Sequence, residues 1–390
     1  MTTYLVGYTI IIAIVLFVVF SILVKKRVLF GNTPAMQKIF AHPLLHYSFR
    51  RIGSALISIS LAIIVTFFLV RLAQPPDATC IHKFVTPQTP VGSLSFELRC
   101  NNWKENMGFS GSIFQQLINF FYSVLPFPKM RCITEIDIST GLYTVFNCRN
   151  FIFDFGRVYG ISGVTDGTFV LDYMSSRMVT SFKIGIIAVV VELALGYPFG
   201  VLMAKYQNGV FDKVGKAYII SIDAIPGVAY YYIWMSIFCS FMKMPSRYDA
   251  SNFLSWLPII LTMGFTGMAG IGLWVRRYMV DEFNSDYVKF ARSKGLSENR
   301  ILRIHILRNA VVPLVRTFPS AVIGALLGTY YLENIYAVNG IGQAIIIAND
   351  TKNACLIQGV IIVSALLSII SYLLGDIVTA MVDPRISFTK

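Results

Sequence analysis

The residues of this chain that could carry chemistry are few and scattered. His42 and His46 stand four apart, a spacing that brings two imidazoles to one helix face, but they lack the acidic companion of a zinc-hydrolase helix. They read as structural or interfacial, His82 and His305 are isolated, and no metal site is expected. A phosphate-cradling loop is also missing. Its nearest approach, "GVFDKVGKA" at Gly209–Ala217, has the wrong spacing and ends in Ala217 where a magnesium-binding hydroxyl is needed. No nucleophile elbow and no close pair of carboxylates stands in residues 73–175, so neither covalent catalysis nor ATP hydrolysis is expected of this chain.

What remains is sulfur and charge in particular places. Cys80, Cys100, Cys132 and Cys148 all fall in residues 73–175, which the topology below puts outside, where disulfides persist. They point to two bridges in any of three pairings, the alternative being free thiols. Cys239 falls in an apolar span and Cys355 in a short external loop. Glu192 lies near the middle of an apolar stretch, where a charge costs about 2.5–3.5 kcal/mol on insertion scales, so it must face protein or water. It either lines a pathway or is tied to a partner. Pro226 in "SIDAIPGVAYYY" is expected to kink its helix by removing a backbone hydrogen bond. With Tyr230 and Glu333 it joins Glu192 as a candidate for the pathway or a gate, although packing is the first reading for Pro226, as for Gly264, Gly267 and Gly270.

One basic segment stands apart from its oily surroundings, "DYVKFARSKGLSENRILRIHILRNAVVPLV", Asp286 to Val315. Its pattern predicts two short amphipathic helices over 286–308. Tyr287, Val288 and Ala291 line one face of the first, and Gly295 suits the left-handed residue that ends it. Ser297 caps the second, with Glu298 at its positive end. Ile301, Leu302 and His305 then oppose Arg300, Arg303 and Arg308. Such a pair lies flat in lipid headgroups or forms a knob for a partner's groove, and pattern alone leaves both open.

The elements that must position these residues are membrane spans. Hydrophobic residues make up 55% of the chain and charged ones only 14%, with a mean hydropathy of +0.65, whereas about a quarter of a soluble domain is charged. Seven apolar stretches, 4–24, 52–72, 179–204, 217–241, 253–275, 311–333 and 357–379, are each long enough to cross a bilayer. The first lacks a basic start and a cleavage pattern, so it is expected to remain as an anchor. Lys and Arg collect between spans one and two, three and four, and five and six, which places those loops inside, the N-terminus outside and the C-terminus in the cytoplasm. The net charge of +13 is thereby absorbed by topology and anionic lipid, with no nucleic acid implied. The expected domains are an anchor with a basic loop (1–51), a second span (52–72), an external mixed domain with four cysteines (73–175) and a five-helix core (176–390) holding the basic loop 281–310.

The basic segment resembles the cytoplasmic coupling loop of ABC importer permeases, in the branch that transports oligopeptides and dipeptides. Asp286, Tyr287, Val288, Ala291, Arg292, Lys294, Gly295, Leu296, His305, Leu307, Arg308, Asn309, Ala310 and Pro313 fall in register with that branch. Lys289 and Phe290 replace the Glu-Ala of the general importer loop, as is typical of the peptide branch. "FDFG" (Phe153–Gly156), "RMVTS" (Arg177–Ser181), "LGYPFGVLMA", "LENIYAVNGIG" (Leu332–Gly342) and "VDPRI" (Val382–Ile386) are similar to further segments of the branch, with Val179 and Asn339 where it has proline. The likeness covers about residues 150–390; the anchor and the cysteine-bearing segment lie outside it.

The resemblance implies an all-α membrane protein with a type I importer permease core of six helices, to which the apolar stretch 4–24 adds one extra N-terminal helix and residues 73–175 a small external mixed domain. It implies a multi-pass plasma-membrane subunit, paired with a second permease, two ABC ATPases that hold ATP and Mg, and an external peptide-binding lipoprotein. This chain would bind no cofactor itself. Asp286, Tyr287, Ala291, Arg292, Lys294, Gly295, Leu296, Arg303 and His305 would couple it to the ATPases, with Tyr287, Ala291, Gly295 and Leu296 docking into their groove. Dipeptides, nickel or another small solute remain open as cargo. A secondary transporter would need coupling charges in its spans, which are sparse apart from Glu192, and a membrane-anchored scaffold leaves the basic segment without a role.

Overall fold

The computed structural model describes residues 43–136, 143–315 and 317–382. The expected span 4–24, Lys25, Lys26, Arg27 and Lys38 after it, His42 and "DPRI" lie outside the described residues. Among the described residues four helices are long and apolar enough to cross a membrane, Gly53–Ala73, Val170–Lys205, Phe253–Phe283 and Ala354–Asp376. Two bent pairs, Val210–Ala224 with Gly227–Phe241 and Glu298–Val315 with Phe318–Ile335, raise this to six if each is one span. The fold class is that of a helical membrane protein with a small mixed insertion. The chain divides into two compact units, residues up to Ser176 with Ala344–Leu366, and Arg177–Gln343 with the residues from Leu367 on.

In the first unit, α1 (Pro43–Ala73) stops before Pro75 and Pro76, and Pro76 restarts the chain as the first residue of α2 (Pro76–Phe84). Ser93 caps α3 (Leu94–Asn106) by accepting the Phe96 amide. Ser112 and Gln115 form a reciprocal capping box at the start of α4 (Ile113–Val124). An antiparallel hairpin follows, β1 (Lys129–Ile136) with β2 (Tyr143–Phe151), bulged between Arg131 and Ile133. Then come the short pair β3 (Arg157–Val158) and β4 (Thr168–Phe169). The structure joins Cys80 to Cys100 across α2 and α3, and Cys132 to Cys148 across the hairpin. Cys355 is not in a loop: it sits in the first turn of α15 (Ala354–Val382), buried, with its thiol towards the Met107 carbonyl at 3.6 Å. Gly156 makes room for it, since its φ of +87° suits glycine and a Cβ there would come within 2.8 Å of the Cys355 Sγ.

In the second unit, α5 (Val170–Lys205), whose residues up to Ser176 belong to the first, is followed by α6 (Val210–Ala224) and α7 (Gly227–Met235), and the chain turns by 114° between α6 and α7. Pro226 therefore does more than kink: it is the N-cap of a new helix, and α6 ends at Ala224 because the residue before a proline is pushed to extended geometry, as Ile225 is with ψ 132°. A π-helical stretch, Ser236–Phe241, continues α7 and carries Cys239. Next, α8 (Leu257–Phe283) packs closely on α5. A side chain at Gly264 would strike Val191 and one at Gly267 would strike Glu192, whereas Gly270 faces open space. Gly196 and Gly200 of α5 supply the approach further along, against Ile271, Gly272 and Val275. The unit continues through α9 (Asp286–Ser293), α10 (Glu298–Arg300), a π-helical stretch at Ile301–Ile306 and α11 (Leu307–Val315). It ends with α12 (Phe318–Leu327), α13 (Tyr330–Ile335) and α14 (Ile341–Asp350), whose last residues, with the start of α15, belong to the first unit.

Candidate functional site: the 286–308 knuckle and a carboxylate-lined cavity

The basic segment folds into a closed knuckle. After α9, Gly295 takes φ +75°, its amide donates to the Arg292 carbonyl at 2.9 Å, and the Leu296 amide reaches back to Ala291 at 3.3 Å. Those two bonds are a Schellman termination, which satisfies carbonyls that the end of a helix leaves open. Arg292 then spans the turn, with Nε to Glu298 Oε1 at 2.7 Å and Nη2 to Oε2 at 3.2 Å. Ser297 occupies the N-cap position, but its hydroxyl caps nothing; its backbone carbonyl accepts from Arg300 and Ile301. On the inner side the Tyr287 hydroxyl donates to Glu282. Burial first, and that acceptor second, hold the phenol above its ordinary pKa, so it stays a neutral donor.

The second expected helix is not a short separate one. From Glu298 the chain is helical without a break to Val315, so the knuckle is the start of the helix that leads into the next apolar stretch. Its π-helical turn has a packing reason. In an α-helix residues five apart point about 140° away from each other, whereas a π turn returns to the same face after about five residues. Ile301 and Ile306 are both fully buried, in one cluster with Ala204 of α5, Val275 and Met279 of α8, and Val288 and Ala291 of α9.

That cluster corrects one expectation. Ala291 is 6% exposed and belongs to the chain's own core, so it does not stand on the outer side of the knuckle. Tyr287, Leu296 and His305 are half-buried, while Asp286, Arg292, Lys294, Gly295 and Arg303 are exposed. The apolar groups that do stand out are Phe290, 61% exposed beside Lys294, and Ile304, 51% exposed. Phe290 is missed by pattern reading because an aromatic three residues from Tyr287 looks like a core position. The base of the knuckle is pinned by a second feature the sequence hides. Asp212 of α6 is fully buried and takes Arg276 Nε at 2.6 Å and Nη2 at 2.9 Å, Lys216 at 3.0 Å and the Asn208 amide at 2.9 Å.

Deeper in the same unit lies a cavity of about 190 Å³ between α5, α8, α12 and α13. Glu192 and Glu333 both line it; Pro226 and Tyr230 do not. Tyr230 is buried instead, its hydroxyl 3.5 Å from that of Tyr218. The two carboxylates differ. Glu333 accepts from the Ser181 hydroxyl at 2.7 Å and from the amides of Thr329, Gly342 and Gln343 at 2.8–3.2 Å. Ser181 in turn accepts the Ile341 amide. Glu333 is thus a clamp that folds the "AVNGIG" turn against α5. Glu192, by contrast, faces the cavity beside Gly267, whose missing side chain leaves space for the carboxylate. Among the described residues no three His, Cys, Asp or Glu side chains gather as a metal site.

Residues 196–388 match the family model described as binding-protein-dependent transport system inner membrane component. The oligopeptide transport system permease protein AmiC of Streptococcus pneumoniae is 35% identical over 219 residues, 55% of this chain and 44% of AmiC. The chain thus spans less than half the length of that relative. The dipeptide transport system permease protein DppB of Lactococcus lactis subsp. cremoris is 24% identical over 344 residues, 88% of this chain and 99% of its own length. The oligopeptide permease AppB of Bacillus subtilis is 27% identical over 252 residues, 59% of this chain and 76% of AppB. Among solved structures, a chain of the inward-facing MetNI methionine ABC transporter is 16% identical with a TM-score of 0.45, covering 55% of this chain and 98% of that one.

Proposed function

The chain belongs to the family of binding-protein-dependent transport system inner membrane components, and from that premise we propose that it is a permease subunit of an ATP-driven importer of oligopeptides. It pairs with a second, similar permease, two ATPase subunits hold ATP and Mg, and an external binding lipoprotein delivers the peptide. The N-terminus lies outside and the C-terminus in the cytoplasm.

One observation carries the reading: the knuckle is rigid by construction and rooted in the core of its own unit. A Schellman turn and the Arg292–Glu298 pair fix its angle, and Val288, Ala291, Ile301 and Ile306 bury its inner side on α5 and α8. Its outer side presents Phe290 and Ile304 among Lys289, Arg292, Lys294 and Arg303. A partner that grips this outer side and closes on ATP moves α8 and the helix 298–315 together, as a rigid-body displacement. Dipeptides, nickel or another small solute would use the same mechanics, so cargo is decided by measurement. In vesicles holding the reconstituted four-subunit complex with its binding protein, labelled oligopeptide accumulates only with ATP. Accumulation driven by an ion gradient without ATP would refute the importer.

A further inference from the structure

Resting on the importer reading above, we propose that Glu192 and the cavity it lines receive the ammonium group of the transported peptide. At about 190 Å³ the cavity is far larger than a single water requires. Its walls are mainly apolar, with Ile184, Val189, Ile259 and Met263 among them, and no Lys, Arg or His lines it. Glu333 is already saturated by the Ser181 hydroxyl and three backbone amides. Glu192 is the other charged group there, with no hydrogen bond or ion pair among the described residues, and its ionisable neighbour is the neutral phenol of Tyr231.

The chemistry selects the ligand. A carboxylate within an apolar span is costly alone and is relieved by a partner of opposite charge. A transition-metal ion prefers imidazole or thiolate, yet neither His nor Cys lines the cavity. A bare calcium or magnesium ion needs about six or more oxygen ligands, of which one carboxylate amid aliphatic walls supplies too few. An ammonium is satisfied by fewer, because its three N–H groups can be shared between the carboxylate and water while its carbon frame rests on the aliphatic side. A single, half-buried partner also suits passage, since it attracts the amine without trapping it. Gly267 sets where the carboxylate stands: a Cβ there would overlap the Glu192 side chain, so Gly267→Ala shifts the group without removing its charge.

The test compares ATP-driven uptake of one labelled pentapeptide lacking Lys and Arg with its N-acetylated form, in vesicles holding the intact complex with wild-type chain, Glu192→Gln or Gly267→Ala. The binding protein is common to every arm, so its own preference cancels when the free-to-acetylated ratios are compared between variants. A charge-assisted hydrogen bond lost at Glu192 is expected to cut the wild-type ratio of kcat/KM by about tenfold or more in Glu192→Gln, through the free peptide. Gly267→Ala is expected to fall between. A ratio unchanged in Glu192→Gln, equal losses of both peptides, or an acetylated peptide excluded alike by both chains overturns the proposal and leaves the importer standing. Absence of ATP-driven uptake of either peptide by the wild type refutes the oligopeptide-importer reading on which the proposal rests.

Discussion

Lys129 is 6% exposed, and its ammonium donates to the carbonyls of Tyr122 and Ser123 at 2.6 Å and of Leu125 at 2.9 Å. It therefore caps the end of α4 with a side chain from the following strand. Burial pushes its pKa down to about 8; Asp154 opposes the shift and Arg131 adds to it. A lysine depressed in the folded state costs stability while it is charged, in full below about 8, and the cost fades as pH rises towards the unfolded value of about 10.4. Lys129→Met should lower stability by about 2 kcal/mol by stranding the carbonyls. In thermal unfolding of the solubilised chain, the gap between wild type and Lys129→Met should widen from pH 8 to pH 10. A gap that narrows contradicts the assigned shift. At this scale the sequence told part of the story. Gly295 could be read from its place after an amphipathic turn, and the cysteines from their grouping, but their pairing depends on which strand and helix come together. Ala291 was misplaced because a small residue on a helix face looks the same whether it meets a partner or the chain's own core.

Helices in the second unit are joined by buried charge as well as by close glycine contacts. Asp212 reaches zero exposure because Arg276 of α8 meets both its oxygens, and its own loop, with Asn208 at φ +62°, turns a backbone amide onto it. Removing Arg276 takes away the bidentate partner and leaves buried Asp212 with Lys216 and the Asn208 amide, at a cost of up to about 3 kcal/mol. Arg276→Met should lower the thermal midpoint sharply, and adding Asp212→Asn should recover much of the loss. If the double variant is as unstable as the sum of the two single ones, the pair is not coupled. The apolar stretches behind most of the helices were legible from hydropathy, because about 20 apolar residues leave few alternatives. Two features were not. The 114° turn at Pro226 exceeds the kink that proline alone dictates, and the continuity of 298–315 is set by Ile301 and Ile306 entering one core, which no helical periodicity predicts.

For the molecule as a whole, the claim is that work done by partner ATPases enters through the knuckle and leaves through α8 and the 298–315 helix. Every structural part of that path lies within one compact unit, from exposed Phe290 to buried Met279. Gly295 is its weakest point: φ +75° excludes proline, whose φ is fixed near about −65°, and the amide bonded to Arg292 would be lost as well. The decisive measurement is ATP hydrolysis and peptide uptake in the same vesicles, wild type against Gly295→Pro, with assembly verified by co-purification of the ATPases. The account predicts an assembled complex that hydrolyses ATP while uptake falls by at least about tenfold. Uptake that keeps pace with hydrolysis in the variant would show that the force does not travel through this turn.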